Sequence, residues 1–132
     1  VWPLIHRRAP DLRLRVIGWL HKRRRIPGVD LRQPGIQFVG RVDDVAPWVR
    51  SSLCTICPIL DGGGTRIKIL ESLAFARPVV STPHGAAGLA LEESDGVLRR
   101  SDPEGFADAV LSLAESPELR LQKYRAELEF RH

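Results

Sequence analysis

Residues 53–85 of the chain read LCTICPILDGGGTRIKILESLAFARPVVSTPHG, and this stretch decides the fold. Its first seven residues are apolar or β-branched, as in a buried strand, and three consecutive glycines follow at 62–64. Helical spacing of apolar residues then predicts a helix from about residue 65 to 76, and 78–81 form a second short strand. The predicted buried face of the helix consists of Ile67, Leu70, Leu73 and Ala74. The order of strand, glycine turn, helix and strand predicts a parallel βαβ unit.

Further helices and strands are predicted on both sides of this unit. The strands are at 12–18, at 36–40 and near 97–98. The helices are at 2–9, at 45–51 after Asp43 and Asp44, from about 103 and from 117. The buried face of the helix from 103 is predicted to consist of Phe106, Ala109, Val110 and Leu113. The fold class is therefore α/β, an open parallel Rossmann-like sheet flanked by helices. Ligands bind such sheets beyond the carboxyl ends of the strands, which makes Gly18, Gly40, the Gly62 loop and residues 82–88 the candidate walls of a site.

The composition fits one domain over residues 1–132. The chain is 43% hydrophobic and 27% charged, which is ordinary for a globular protein with a single core. No apolar run approaches the roughly 20 residues that span a bilayer, and no signal-peptide pattern is present. We therefore expect a cytoplasmic location.

The two cysteines, Cys54 and Cys57, form a C-x-x-C pattern. They lie within a predicted strand, where an odd spacing directs the two side chains to opposite faces of the sheet. Such a pair cannot close a disulfide, and no histidine stands at zinc-ligand spacing. We expect two buried core thiols and no metal site.

The positive charge is concentrated in the first part of the chain. Residues 1–50 contain 11 Lys and Arg against 4 Asp and Glu, although the whole chain has a net charge of only +4. The basic run 21–25, with Arg7, Arg8, Arg13 and Arg15, leaves open a second interpretation, a module that binds nucleic acid or an anionic membrane. The run lacks interleaved aromatic residues and a known reading motif, so nucleic acid is not the expected partner.

The glycine loop and the helix after it carry a possible anion site. Consecutive glycines let backbone N–H groups approach a ligand, and a helix N-terminus adds positive potential. Arg66 and Lys68 can pair with phosphate oxygens, while Glu71, one turn beyond Lys68, can accept hydrogen bonds from ribose hydroxyls. The residues match neither a P-loop nor a dinucleotide motif.

The blocks CPILDGGGTRIKILESLA at 57–74 and PVVSTPHG at 78–85, followed by Gly88 and Leu89, resemble the C-terminal, donor-binding domain of a GT-B glycosyltransferase. The resemblance is to the retaining group 1, family 4 type, and it extends nearly over the whole chain. It implies a nucleotide-sugar donor, with uridine or guanosine diphosphate as the nucleotide, and no cofactor or metal.

The resemblance also implies roles for individual residues. Arg66 and Lys68 would be catalytic because they stabilise the leaving diphosphate. Donor contacts are implied for Gly62, Gly63, Gly64, Thr65, Glu71, Arg41, Val42, His84 and Gly85. Many relatives carry a glutamate that contacts the donor sugar at the position of Gly63, which leaves the sugar specificity open. Arg77 stands where relatives often have glycine or lysine.

Relative to the family, the chain lacks the first strand of the domain, which lies in the middle of the sheet, and the acceptor-binding N-terminal domain. We therefore expect a fragment or a truncated domain with no transferase activity alone, and an inactive nucleotide-binding remnant is a further alternative. The N-terminal domain would be its partner. Self-association through the incomplete sheet and peripheral contact with the inner face of the membrane are two further expectations.

Overall fold

A computed structural model describes residues 2–17, 33–58, 60 and 66–115, without the side chain of Arg66. Four α-helices and five strands are assigned within these ranges. In chain order they are α1 (Trp2–Arg8), β1 (Leu14–Ile17), β2 (Ile36–Gly40), α2 (Ala46–Arg50), β3 (Thr55–Cys57), α3 (Arg66–Ala74), β4 (Val79–Ser81), β5 (Val97–Arg99) and α4 (Pro103–Glu115). A short 3₁₀ helix, Glu93–Asp95, precedes β5. The predicted order of helices and strands is thereby confirmed for the described residues.

The strands are parallel, but they form two sheets where the sequence predicted one. β1 pairs with β2, and β3, β4 and β5 form a second sheet with β4 in the middle. In the second sheet Val80 lies opposite Ile56 on one side and Leu98 on the other. The α/β, Rossmann-like fold class is confirmed, and the division falls between β1 and β3.

Helices cover both faces of the three-stranded sheet. Ile5 of α1 and Phe106 of α4 pack in one apolar cluster with Val80 and Leu98. The opposite face carries a second cluster, in which Ile69 and Leu73 of α3 pack with Cys57, Val79, Ala86, Leu91 and Val97. The alternation of side chains along each strand therefore supplies apolar residues to both layers, as a sheet buried on two faces requires.

A short carboxylate binds the beginning of each of two helices, and the one before α2 was predicted from the sequence. Asp44 Oδ1 accepts a hydrogen bond from the Ala46 N–H at 3.0 Å, and Asp102 Oδ2 accepts one from the Gly105 N–H at 3.0 Å. These bonds satisfy backbone N–H groups that have no partner inside the helix.

The predicted buried face of α3 is wrong apart from Leu73. Ile67 is 73% exposed and Leu70 is 38% exposed, and Ala74 is also exposed. The buried side chains are instead those of Ile69, Ser72 and Leu73 on the helix and Ala76 in the turn after it. Since apolar residues occupy both sides of this helix, the helical period was correct but did not determine which side faces the sheet.

The two cysteines are free and belong to opposite faces of the sheet, as their odd spacing predicted. Cys57 is buried in the cluster beneath α3, whereas Cys54 is half-buried and packs against the cluster beneath α4. Burial of its thiol raises the pKa of Cys54 to about 12. A thiol with such a pKa stays protonated at neutral pH, which agrees with a core role.

Three predictions from the sequence lie outside the described residues. These are the basic run at 21–25, the candidate site walls at Gly18 and at the Gly62 loop, and the final helix from 117. Within the described ranges, no helix is both long enough and apolar enough to cross a membrane.

Candidate functional site

The described part of the predicted site begins at the first turn of α3. The helix starts at Arg66, one residue from the predicted position, although the Arg66 side chain is outside the described part of the structure. Gly62, Gly63, Gly64 and Thr65 are also outside it, so their contacts stay predictions.

A cavity of about 300 Å³ lies where β1 and β3 end, beside α3. We call it the α3 cavity. Ile17 closes β1 and Cys57 closes β3, and both residues line it together with Val45 and Pro58. Its position agrees with the rule that parallel α/β sheets bind ligands at the carboxyl ends of their strands.

Two of the predicted site residues, Lys68 and Glu71, line the α3 cavity together. Lys68 is exposed and Glu71 is half-buried, and among the described residues neither side chain forms a hydrogen bond or an ion pair. The cavity therefore places an ammonium and a carboxylate against an otherwise mostly apolar wall. Such a wall can take a flat apolar group, while the two charged groups can bind an anion and a pair of hydroxyls.

A chain of polar groups under the cavity ties α3 to the sheet. Thr55 Oγ1 on β3 donates to Ser72 Oγ at 2.8 Å, and Ser72 Oγ donates to the Arg77 carbonyl at 3.1 Å. Ser72 is 2% exposed and follows Glu71 directly. The bond between these two hydroxyls therefore sets where α3, and with it Glu71, lies above the end of β3. The sequence analysis did not single out Ser72; a serine flanked by Ile69 and Leu73 on one helical face was the available signal.

Arg77, which the sequence left without a role, joins the ends of two helices. Its Nε donates to the Arg50 carbonyl at 3.1 Å, its Nη2 contacts the same oxygen, and its Nη1 donates to the Ala76 carbonyl at 2.8 Å. The Arg50 guanidinium in turn lies 5.1 Å from the centre of the Phe75 ring. Arg77 thus satisfies carbonyls that α2 and the turn after α3 would leave free.

The loop after β4 packs Gly85 tightly against the carboxyl ends of β3 and β4. A Cβ atom at Gly85 would lie 2.7 Å from Ser81 Oγ and 2.8 Å from Cys57 Sγ. The Gly85 N–H donates to Thr82 Oγ1 at 3.1 Å, which closes the turn. His84 beside it is exposed. This position therefore requires glycine for close packing next to a residue that lines the α3 cavity.

The structure does not bring every predicted donor residue to the α3 cavity. Arg41, Val42, His84 and Gly85 are absent from its described lining, although Cys57 connects Gly85 to it. Arg41 and Val42 directly follow the left-handed Gly40, whose φ is 82°. Further along the chain, Val45 and Val49 line the cavity instead. Sequence reasoning missed Ile17, Val45 and Pro58 because the topology, and not a motif, brings them together.

Two of the basic residues that suggested a nucleic-acid or membrane surface have partners inside the chain. Arg8 forms an ion pair with Asp108. The Arg15 guanidinium lies 5.6 Å from the centre of the Trp48 ring, and its Nη1 donates to Ser51 Oγ at 3.3 Å. The basic run 21–25 lies outside the described residues. Because Arg8 and Arg15 already contact other residues of the chain, they are less available to bind nucleic acid or an anionic membrane.

Side chains that could ligate a metal ion are scattered over the described ranges. No three side chains of His, Cys, Asp or Glu within those ranges come together as a group that could hold a metal ion.

The described residues form a parallel α/β domain with a cavity at the carboxyl ends of its strands. Residues 1–116 match the family model described as glycosyl transferases group 1. The chain therefore belongs to the group 1 glycosyltransferases. Comparison with curated proteins gives no match.

Proposed function

We propose that this chain is the donor-binding domain of a retaining group 1 glycosyltransferase, and that the α3 cavity holds the nucleoside diphosphate of a nucleotide-sugar. One observation carries the proposal: Lys68 and Glu71 meet in one cavity at the carboxyl ends of the strands. Membership of the family supplies the reaction class, transfer of a sugar from a donor to an acceptor.

Each part of the cavity suits one part of such a ligand. The exposed Lys68 ammonium, together with Arg66 and the backbone N–H groups at the start of α3, would bind the diphosphate. The half-buried Glu71 carboxylate would accept hydrogen bonds from ribose hydroxyls. The apolar side chains of Ile17, Val45 and Pro58 would pack against the base. The predicted contacts of the glycine loop, of Arg41 and Val42 and of His84 and Gly85 would complete the site.

The cations have a second role in the transfer. When the bond between the anomeric carbon and the diphosphate breaks, negative charge grows on the leaving oxygen, and Arg66 and Lys68 would stabilise it. The acceptor would be presented by an N-terminal domain across the cleft. We therefore propose that this chain binds the donor but does not transfer the sugar by itself.

Calorimetric titration with uridine diphosphate, guanosine diphosphate and the corresponding nucleosides tests this proposal. We expect one diphosphate to bind and its nucleoside to bind much more weakly, since one charge-assisted contact contributes about 1.5–3 kcal/mol. Lys68→Gln should weaken diphosphate binding by about tenfold or more, because about 1.4 kcal/mol corresponds to a factor of ten.

A second variant shows whether Lys68→Gln weakens binding through loss of a local contact or only through loss of one positive charge. Arg7→Gln removes one positive charge from an exposed position on α1, outside the α3 cavity, and should leave the affinity unchanged. Equal losses in the two variants would indicate nonspecific attraction of an anion by a basic protein. The absence of binding by both diphosphates would refute the proposal.

A further inference from the structure

Two helices contribute side chains to the wall of the α3 cavity. Lys68 and Glu71 belong to α3. Val49 belongs to α2, and Val45 directly precedes that helix. In the proposed function the valines pack against the base, while the α3 residues bind the ribose and the diphosphate. One nucleotide can therefore contact both sets of residues only if α2 and α3 are held at the right distance from each other.

Burial and a hydrogen bond fix α3 on the three-stranded sheet. Ile69 and Leu73 of this helix are 1% and 0% exposed and pack in the cluster beneath it. Ser72, between them, accepts a hydrogen bond from Thr55 on β3 at 2.8 Å. The place of α3 on the sheet therefore does not depend on α2.

Backbone hydrogen bonds also fix the end of α3. The Arg77 N–H donates to the Ser72 carbonyl at 3.1 Å, and the Ala76 N–H donates to the Leu73 carbonyl at 3.0 Å. Ala76 is left-handed, with a φ of 60°, so the three features together form a Schellman motif. Because main-chain atoms make these bonds, they would remain if the side chain of Arg77 were shortened.

The second helix, α2, depends on contacts with its neighbours. It has five residues, of which Ala46 alone is buried, and a helix this short is not stable without tertiary contacts. Toward β1 it is held by Arg15, whose guanidinium lies 5.6 Å from the centre of the Trp48 ring and donates to Ser51 Oγ at 3.3 Å. Its carboxyl end needs a further contact on the side of α3.

The Arg77 guanidinium makes that contact. Its Nε donates to the carbonyl of Arg50, the last residue of α2, at 3.1 Å, and its Nη2 contacts the same oxygen. The Arg50 guanidinium reaches in the other direction and lies 5.1 Å from the centre of the Phe75 ring, directly after α3. Two arginine side chains thus join the carboxyl ends of α2 and α3, one from each side.

We propose that Arg77 is a positioning residue for the nucleotide, which holds α2 where Val45 and Val49 can pack against a base whose diphosphate is bound at Lys68. This inference rests on the proposed function of the α3 cavity. Arg77 is not among the residues that line the cavity, so it acts through α2. Without its guanidinium, α2 loses a support while the sheet still holds α3. The contacts with the base are then weakened, and the contacts with the diphosphate remain.

Titration of the unchanged chain and of Arg77→Met with uridine diphosphate, guanosine diphosphate and inorganic pyrophosphate tests this role. Arg77→Met should bind the preferred nucleotide at least about fivefold more weakly and pyrophosphate within about twofold of the unchanged chain. A purely structural role would not change the ratio of the two affinities. Arg77→Lys should restore nucleotide binding to within about twofold, since its ammonium can still donate to the Arg50 carbonyl.

Hydrogen exchange without any ligand gives a second readout. The amide of Val49, which donates to the Val45 carbonyl at 3.0 Å, should exchange at least about fivefold faster in Arg77→Met. The amide of Leu73, inside α3, should keep its rate. Arg8→Met is the matched control, because Arg8 also carries one positive charge and joins two helices, through Asp108 of α4. It should change neither the nucleotide affinity nor the exchange at Val49.

The outcomes separate this inference from the proposed function. If neither nucleotide binds the unchanged chain, the proposed function fails and the role of Arg77 in nucleotide binding fails with it. If a nucleotide binds the unchanged chain and Arg77→Met equally well, or if exchange at Val49 does not change, only the role of Arg77 is overturned. Equal losses for nucleotide and pyrophosphate would also overturn it, because Arg77 would then act through its charge.

Discussion

Thr55 Oγ1 lies 2.8 Å from Ser72 Oγ and joins the third strand to the helix that carries Lys68 and Glu71. The Ser72 hydroxyl continues to the Arg77 carbonyl, so three segments of the chain meet at one buried side chain. The position of Glu71 above the sheet therefore depends on the hydrogen bond between Thr55 and Ser72.

Ser72→Ala should destabilise the protein by about 1–3 kcal/mol, because it leaves the part-buried Arg77 carbonyl and the Thr55 hydroxyl without this partner. Denaturant unfolding measures the change in the free energy of unfolding. Ser112→Ala is the matched control, since Ser112 is exposed on α4 and donates only to the carbonyl four residues earlier. A Ser72→Ala protein within about 0.5 kcal/mol of the unchanged chain would contradict this role.

Gly85→Ala should cost about 1–3 kcal/mol, since the new methyl group would overlap with Cys57 Sγ and Ser81 Oγ. Thermal or denaturant unfolding gives the magnitude. Introducing the same substitution into a Cys57→Ala, Ser81→Ala background should cost clearly less, because both side-chain contacts are then relieved. Identical costs in the two backgrounds would show that these contacts do not explain the glycine.

The raised pKa of Cys54 predicts a loss of stability at alkaline pH. Its pKa lies at about 12, above the ordinary 9.0, so the folded state keeps the proton after the unfolded chain has lost it. The stabilising contribution is complete below pH 9 and falls as pH rises from 9 toward 12, by at most about 1.4 kcal/mol per pH unit.

Unfolding free energies at pH 8, 9 and 10 check this dependence. Cys54→Ala should show a shallower fall above pH 9 than the unchanged chain, whereas Cys57→Ala should keep the fall. An equal slope in Cys54→Ala and the unchanged chain would mean that another group is responsible.

Removal of divalent metal ions should not change nucleotide binding. In the proposed site, protein cations alone bind the diphosphate, so the Kd measured with a chelator and the Kd measured with magnesium should agree within about twofold, far less than the ~1.4 kcal/mol of a tenfold change. An affinity that depends on magnesium would require a metal ion between the protein and the diphosphate.

The sequence predicted the order of elements and the two-faced strand at 54–57, because alternation in a strand depends only on neighbouring residues. It failed at α3, where Ile67 and Leu70 suggested the wrong buried face. That face is selected by the Thr55–Ser72 bond and by packing on Val79, which join residues distant in sequence. A helical period gives the spacing of buried residues but not the side that meets the sheet.

The sequence likewise predicted only part of the candidate site, namely the residues that lie close together on one helix. Lys68 and Glu71 are three residues apart on one helix, so helical geometry alone brings them to one side. Ile17 and Val45 come from separate segments, and only the parallel topology places them beside α3. The division of the sheet between β1 and β3 is likewise a three-dimensional relationship that no local pattern records.

Amide and methyl NMR spectra of the chain, recorded during titration with uridine or guanosine diphosphate, test the central claim most directly. We predict shifts that saturate at Ile17, Val45 and Glu71, which line the α3 cavity, and little change at Ile5 and Phe106 in the cluster beneath α4. Saturating shifts confined to the basic α1 region, or no saturating shifts with either nucleotide, would contradict the account.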